Sequence, residues 1–485
     1  MRLHLYLLCA ASLSGCIAVG PRYDAPSPDG VQEGYVYEDR PVYKPSRDEE
    51  HNPLWWQAFS DPRIGEMVAI ARAENRDLRA AFYRLEAADA RAGAARRALL
   101  PQGATSFAIT RQQQAQAAFA GFAGGGDGPQ GGNAPPPDNP EFTIYNAQQQ
   151  VSWEVDLFGR LRRQAQGASA RAEQQAELLV DSERLITAQT VDTFLTLVEA
   201  LNRRRVALDN LALQERSLVL VEQLYDLGEI PELDVLRQKT LVASTAAQVK
   251  QVENAAADGT AAISLILGMT VPEFLARFPD LVDEEVAPEL PTADPVVALI
   301  RPSEVLRRRP DVRAAERALA AETYDIGVAT ADLFPQVNLT GSGSLTALDF
   351  AGLGEDDAVG YSVGPQISWR LLSYPQILKQ RAAAKAEAGA ALAQYEQAVL
   401  RALTETDRAL ALHTGAVEQA VILTGAENAA VRSAELVEAR YREGADSLLT
   451  LLDAQRTALS TQDQAVSARI AALRTRVQIH RVLAD

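Results

Sequence analysis

Two charged residues, Asp453 and Arg456, lie three positions apart in a segment with helical periodicity, so their side chains project from one face of a helix. Such a pair can form a salt bridge within one chain or between copies of the chain. Under three-fold symmetry, three Asp453 carboxylates would surround an axis, attracting cations and repelling anions. The alternative is an exposed helix pair that contributes roughly 0.3–0.5 kcal/mol.

Catalytic and metal-binding patterns are missing from the sequence. It contains no histidine, cysteine and aspartate set around a nucleophile, no HExxH, no Walker-type glycine loop and no GxGxxG, so an enzyme is not expected. The only cysteines, Cys9 and Cys16, lie at the extreme N-terminus, and the four histidines are scattered without ligand spacing. We therefore predict no metal and no other cofactor in the body of the protein.

The first residues indicate a targeting segment, because Arg2 precedes a short apolar core that ends in Leu13-Ser14-Gly15-Cys16. This ending is similar to the bacterial lipobox, which implies a signal peptide over residues 1–15 and a covalent lipid on the Cys16 thiol. An ordinary signal peptide that happens to contain cysteine is the alternative. Ile17 stands where an inner-membrane retention signal would have aspartate, and this favours the outer membrane of a Gram-negative bacterium.

Composition predicts long helices in an acidic chain. The 485 residues carry a net charge of −17 and contain no basic block, which excludes a generic nucleic-acid-binding protein. Alanine, leucine, glutamate, glutamine and arginine dominate, and apolar periodicity persists for tens of residues, as is typical of long helices in lateral contact. No run of about 18 apolar residues is present, so no transmembrane helix is predicted.

The chain consists of one unit written twice. The segment Leu220-Val221-Glu222-x-x-Tyr225-x-x-Gly228 reappears 216 residues later as Leu436-Val437-Glu438-x-x-Tyr441-x-x-Gly444. Further upstream, Leu99-Leu100-Pro101-Gln102 matches Leu333-Phe334-Pro335-Gln336 at an offset of 234. The two offsets differ because the first copy has a longer Gly/Pro-rich loop, at 115–141. Such a duplication constrains architecture more tightly than local propensity does.

Each copy is predicted to contain a short helix, two strands, a very long helix and a shorter return helix. A 70-residue helix spans roughly 105 Å, and each long helix turns at its repeated glycine, Gly228 or Gly444. In the first copy the short helix is predicted at 61–99, the strands at 104–111 and 142–153, the long helix at 157–226 and the return helix at 231–267. In the second copy the same elements are predicted at 303–333, 337–345, 361–369, 375–443 and 446–483.

The strands of the second copy alternate strictly between apolar and polar residues. Val337, Leu339 and Leu345 share one face, while Asn338 and Thr340 lie on the other. This alternation over ~10 residues is typical of a transmembrane barrel, and a water-soluble hairpin with one buried face is the alternative. Four strands cannot close a membrane barrel, and lipid does not tolerate an open sheet edge, so the chain must share its barrel with copies of itself. Two copies would give eight strands and three would give twelve; the small polar inward residues suit a water-filled lumen.

Several ordered motifs resemble the outer-membrane efflux protein (TolC-like) family, and within it the lipoprotein subgroup that serves resistance-nodulation-division pumps. They are Val19-Gly20-Pro21-x-Tyr23-x-x-Pro26, Trp55-Trp56-x-x-Phe59-x-Asp61-Pro62, Trp153-Glu154-x-Asp156-Leu157-Phe158-Gly159, and the segment from Tyr441 to Arg456. The resemblance implies a mainly α fold with a small β part: a long α-helical coiled-coil barrel continuous with a transmembrane β-barrel of four strands per chain and twelve per homotrimer. It also implies a passive efflux duct that docks to a periplasmic adaptor protein and an inner-membrane pump.

The resemblance further implies roles for single positions at a periplasmic tip. Leu449 and Asp453 would line the constriction, and Arg456 would tie the closed state together. Tyr441 and Asp446 would link neighbouring helix pairs.

In the first copy, Asp234 matches the acid after the turn, and a solvated acid is the alternative interpretation there. The family docks its adaptor at the tips marked by Gly228 and Gly444, where a purely structural turn is the alternative.

The predicted organisation is a signal peptide (1–15), an extended arm (16–54), a first repeat (55–267), an irregular connection (268–300) and a second repeat (301–485). Two other functions remain open at this point. One is a duct for type I protein secretion, against which the lipobox and Trp55-Trp56 speak. The other is a lipid-anchored coiled-coil scaffold without a pore, which would have no use for the alternating strands.

Overall fold

The computed structural model places the repeated elements in two compact units. Among the residues that the structure describes, the strand unit comprises 18–25, 88–113, 141–172 and 318–391, and the helical unit comprises 26–27, 32–45, 54–87, 173–281, 288–317 and 392–483. Cys16 and nearly all of the loop predicted at 115–141 lie outside the described residues. Every structural statement below concerns the described residues, which are 18–27, 32–45, 54–113, 141–281 and 288–483.

Helices account for most of the described residues, and their order repeats along the chain. The two longest, α3 and α8, contain 67 and 69 residues, which confirms the prediction of two very long helices. The first copy contains α1 (Pro62–Glu74), α2 (Arg76–Arg97), α3 (Arg160–Asp226) and α4 (Glu232–Ile266), and the connection contains α5 (Val271–Arg277). The second copy contains α6 (Pro302–Arg308), α7 (Pro310–Ala331), α8 (Tyr374–Arg442) and α9 (Leu448–Leu483).

The short helix predicted in each copy is divided in two, at Asn75 and at Arg309. Asn75 leaves the helical conformation at the end of α1, and its side-chain oxygen then accepts hydrogen bonds from the backbone N–H groups of Asp77 and Leu78, at 2.9 and 3.0 Å. Arg309 occupies the corresponding position 234 residues later, where Pro310 begins α7. Asparagine and proline both favour helix starts, so each copy restarts its helix at the same place by different chemistry.

Helix α4 carries a coiled-coil seam. Its buried residues recur at spacings of three and four, as they do along a heptad repeat. At Gly259 an added Cβ would lie 3.3 Å from the backbone of Leu197 in α3, so the glycine permits close approach of the two helices. The regular part of the seam consists of Val249, Val252, Ala256, Gly259 and Ile263.

The strand unit contains one antiparallel sheet of four strands, β2 (Gln102–Gln113), β3 (Glu141–Val155), β5 (Gln336–Ala347) and β6 (Val359–Ser368). Each strand is hydrogen-bonded to the next in this order. Paired residues lie on the same face of the sheet, and the face predicted for Val337 and Leu339 is mainly apolar, with Thr105 and Gln149 as a hydrogen-bonded polar pair within it. The opposite face is polar, with Ser342 Oγ and Ser362 Oγ 2.9 Å apart.

The duplication is visible in the contacts that join strands to helices in the strand unit. The Trp153 indole N–H donates to the carbonyl oxygen of Leu99, at 2.9 Å. In the second copy the Trp369 indole N–H donates to the carbonyl oxygen of Leu333, at 3.1 Å. Each tryptophan thus satisfies a carbonyl just beyond the end of a helix, where no intrahelical partner is available.

The connection between the copies is more ordered than the irregular segment predicted over 268–300. Pro272 lies in the first turn of α5, where its missing N–H is harmless, and Thr270 and Glu273 form a capping box. A short strand, β4 (Val297–Leu299), pairs in parallel with β1 (Tyr43–Pro45) of the N-terminal arm. Pro272, one of the prolines on which the prediction of an irregular segment rested, therefore marks a helix start.

No single described helix has both the length and the apolar character needed to cross a membrane. One pair that passes on length and composition, α4 followed by α5, is bent by 94°.

Candidate functional site

The two repeated glycines end the two long helices in the same way. Gly228 has φ +74° and Gly444 has φ +70°, which is the left-handed region that glycine adopts without steric cost. In the first turn the Glu229 N–H donates to the Leu224 carbonyl at 2.9 Å, and in the second the Ala445 N–H donates to the Arg440 carbonyl at 2.8 Å. Both are Schellman turns, in which the glycine caps the helix and redirects the chain.

Tyr441 and Asp234 bring the two turns into electrostatic contact within the helical unit. Partial burial raises the pKa of the Tyr441 hydroxyl, and the negative charge of Asp234 raises it further. Asp234 lies in the first turn of α4 and accepts a hydrogen bond from Arg237 Nη1 at 3.2 Å. The structure therefore places two of the predicted gate residues, one from each copy, near each other.

Asp446 forms an ion pair with Arg440, which lies near the end of α8, before the turn at Gly444. The Arg440 guanidinium donates to Asp446 Oδ2 from Nε at 2.7 Å and to Oδ1 from Nη2 at 3.4 Å. The acid is mostly buried and the arginine is exposed. This two-bond pair closes the second turn, and Arg440 is a residue that the sequence reasoning missed. Its six-residue separation from Asp446 across a glycine turn was the available signal.

Leu449, Asp453 and Arg456 lie on α9 beyond the turn and are exposed in the single chain. Leu449 retains 63 % of its accessible surface. Among the residues that the structure describes, neither Asp453 nor Arg456 has an ion-pair partner in its own chain. The Thr457 hydroxyl donates to the backbone carbonyl of Asp453 at 2.9 Å, a bond that does not involve the Asp453 carboxylate. These three predicted residues are therefore accessible to another chain. Tyr441, Asp446 and Asp234, by contrast, interact with residues of their own chain. Cys16 lies outside the described residues.

The apolar face of the sheet is a second exposed surface. Tyr361, Val363 and Ile367 on β6 retain 89 %, 80 % and 68 % of their accessible surface, although residues of this type are normally buried. A contiguous apolar patch of this kind marks a surface that contacts lipid or protein rather than water. In the described part of the chain no three histidine, cysteine or acidic side chains converge as metal ligands would.

Comparisons with known proteins identify the family to which the chain belongs. The family model described as outer membrane efflux protein matches residues 67–269 and 301–485, which is most of the chain. The chain therefore belongs to the outer membrane efflux protein family, whose members are channels of the outer membrane.

Individual relatives cover the chain almost from end to end. The pyoverdine export outer membrane protein OpmQ of Pseudomonas aeruginosa is 28 % identical over 475 residues, covering 97 % of this chain and 95 % of its own. The toluene efflux pump outer membrane protein TtgF of Pseudomonas putida is 27 % identical over 496 residues, covering 99 % and 96 %. Among solved structures, the outer-membrane channel OprN superposes with a TM-score of 0.82 at 36 % identity, covering 96 % of this chain and 99 % of that one.

Proposed function

We propose that this protein is the outer-membrane channel of a tripartite efflux pump: a passive duct, gated at its periplasmic tip, that exports drugs or other small toxic compounds. The observation that carries the proposal is the four-stranded sheet, which has one exposed apolar face, one polar face and two unpaired edges. The names of the relatives, which include pyoverdine export and toluene efflux, support small-molecule export rather than protein secretion. A scaffold without a pore would not need the apolar sheet face.

The unpaired edges, β2 and β6, support a homotrimer. Hydrocarbon offers no hydrogen-bond partner to an open strand edge, so in the membrane β6 of one copy must pair with β2 of the next. Three copies contribute twelve strands, enough to surround a lumen lined by the small polar side chains of the opposite face. Under this proposal no reaction is catalysed, and transport is directed by an inner-membrane pump of the resistance-nodulation-division type and its adaptor protein.

Paired cysteines test the shared sheet. The β2 and β6 strands lie three strand spacings apart in one chain, roughly 14 Å, whereas a disulfide needs Cα atoms within about 7 Å. A chain carrying one cysteine in β2 (Ala104→Cys or Ala108→Cys) and one in β6 (Ser362→Cys or Gln366→Cys) can therefore form this bridge only between copies. We expect at least one of the four pairings to give a covalent trimer on a denaturing gel after mild oxidation.

The matched controls are the chains that carry either cysteine alone, which should stay monomeric because identical edges do not meet. Failure of all four pairings, in protein that is inserted in the membrane, would overturn the shared sheet.

The adaptor is proposed to dock at the tips formed by the Gly228 and Gly444 turns. The glycine conformation and the paired hydrogen bonds give both copies the same rigid end, and the duplicated sequence around Tyr225 and Tyr441 gives them similar surfaces. A trimer would thus present six similar tips, alternating between first and second copies. The gate itself is assigned to Leu449, Asp453 and Arg456, whose exposure in the single chain leaves them available to neighbouring copies.

The covalent lipid on Cys16 remains a proposal that rests on the sequence Leu-Ser-Gly-Cys. We expect mass spectrometry of the mature protein to find an acylated N-terminal Cys16, and Cys16→Ser to block that modification. The sheet buries far more apolar surface than acyl chains do, at about 0.8 kcal/mol per CH₂ for the chains, so trimers of the variant should still insert. An unmodified mature chain that starts at another residue would contradict the proposal.

A further inference from the structure

Three glutamines meet in the core where helices α3, α4 and α9 pack together. Gln214, Gln238 and Gln455 retain only 1 %, 0 % and 3 % of their accessible surface. Gln238 Nε2 donates to Gln214 Oε1 at 2.9 Å and to the Gln214 backbone carbonyl at 2.8 Å. Gln214 Nε2 in turn donates to Gln455 Oε1 at 3.4 Å. We call these three residues the glutamine cluster.

The cluster interrupts seams that are otherwise made of apolar and small residues. Leu451 and Ala458 lie four residues before and three residues after Gln455, and both are buried. The side-chain oxygen of Gln238 is buried without any hydrogen-bond partner. A buried amide that is only partly satisfied is less favourable than leucine at such a position, so the stability of this packing does not explain the cluster.

The position of the cluster suggests another role. Gln455 lies between Asp453 and Arg456 on α9, but unlike these two exposed residues it is buried, in the contact with the first-copy helices α3 and α4. The two short hydrogen bonds join Gln214 to Gln238, both in the first-copy hairpin. The single long one, at 3.4 Å, crosses to α9. Any movement of α9 away from that hairpin therefore separates the cluster at its weakest bond and leaves the pair within the hairpin intact.

We propose that the glutamine cluster is a wettable joint that lets helix α9, which carries the gate residues, move away from the α3–α4 hairpin when the channel opens. Amide side chains exchange their mutual hydrogen bonds for bonds to water, so separation there exposes little apolar surface. Leucines at the same positions would have to be transferred into water. The proposal rests on the gated duct proposed above, and it assigns a positioning role to residues that need not touch the transported compound.

Leucine substitutions test the joint, because leucine fills a similar volume but cannot be hydrated. We expect Gln455→Leu combined with Gln214→Leu to lower the open probability in planar bilayers by about tenfold or more, which corresponds to about 1.4 kcal/mol or more. The same variant should have a melting temperature equal to or above that of the unsubstituted trimer. A purely structural cluster predicts the reverse, namely lower thermal stability with unaltered gating.

The matched control is Gln464→Leu, an exposed glutamine on the same helix whose Nε2 donates only to Ser460 Oγ. It should change neither gating nor melting temperature. All variants are measured both alone and combined with Arg456→Ala, so that channel openings are frequent enough to count. Unchanged or increased opening in the double leucine variant would overturn the joint. Absence of conductance in every protein, including the Arg456→Ala parent, would instead overturn the proposed duct.

Discussion

Replacing Arg456 with alanine is expected to increase conductance through the trimer in planar bilayers by about tenfold. Within the described part of the chain Arg456 has no acidic partner, and under the proposed gate its partner in the closed state is an acid of a neighbouring copy. A salt bridge at a narrow, partly desolvated site contributes about 1–3 kcal/mol. The substitution removes that bridge and leaves three Asp453 carboxylates repelling one another, and both effects favour the open state.

Asp453→Ala should also open the tip, and it should in addition weaken the preference for cations, because the ring of carboxylates is lost. Cells that depend on either variant should become more sensitive to large antibiotics. The control is Arg442→Ala, which removes an exposed arginine paired with Glu438 on its own helix and should leave conductance unaltered. Wild-type conductance in both gate variants, with trimers intact, would show that Asp453 and Arg456 are ordinary solvated residues of an exposed helix face.

The second large effect is expected on the sheet, where Val363→Arg should abolish insertion into the outer membrane. Val363 lies near the middle of β6 on the apolar face and is 80 % exposed in the single chain. An arginine that faces lipid near the bilayer midplane costs about 2–4 kcal/mol, and a trimer would carry three. The protein should therefore be found outside the heat-stable trimer fraction of outer-membrane preparations.

Ser362→Arg provides the matched control at the same depth. Ser362 is the adjacent residue, and its side chain lies on the polar face, beside Ser342. Its arginine would project into a water-filled lumen, so insertion should be retained and only ion selectivity should shift. Equal insertion of the two variants would contradict the assignment of the apolar face to lipid.

Most of the architecture could be predicted because the same series of helices and strands is encoded in both copies of the internal duplication. The long helices α3 and α8 end at glycines that local chemistry alone identifies, and strict alternation identified the faces of β5 and β6. The break at Asn75 was missed because helical periodicity continues on both sides of it and asparagine also occurs inside helices. The break at Arg309 did carry a local signal, since Pro310 cannot continue the preceding helix, but the continuing periodicity outweighed it. Periodicity reports which face is buried and does not report an interruption shorter than one turn.

The candidate site was less accessible to sequence reasoning. Family resemblance located Tyr441 and Asp446, the duplication located Asp234, and the charge of Asp234 acts on Tyr441 in the structure. The Arg440–Asp446 pair depends on the conformation at Gly444, which determines where the chain points after the helix. The glutamine cluster depends on the packing of three helices from both copies. Such contacts between segments far apart in sequence leave no trace in local spacing.

The pairing of β3 with β5 has a consequence for biosynthesis. Tyr145 pairs with Ala347, roughly 200 residues later, so β3 cannot pair with β5 until nearly three quarters of the chain has been synthesised and translocated. Until then the β2–β3 hairpin exposes an apolar face and an unpaired edge, both of which promote aggregation. Long-range strand pairing is also intrinsically slow. The nascent protein should therefore require a holding chaperone in the periplasm for the interval between the appearance of β3 and that of β5.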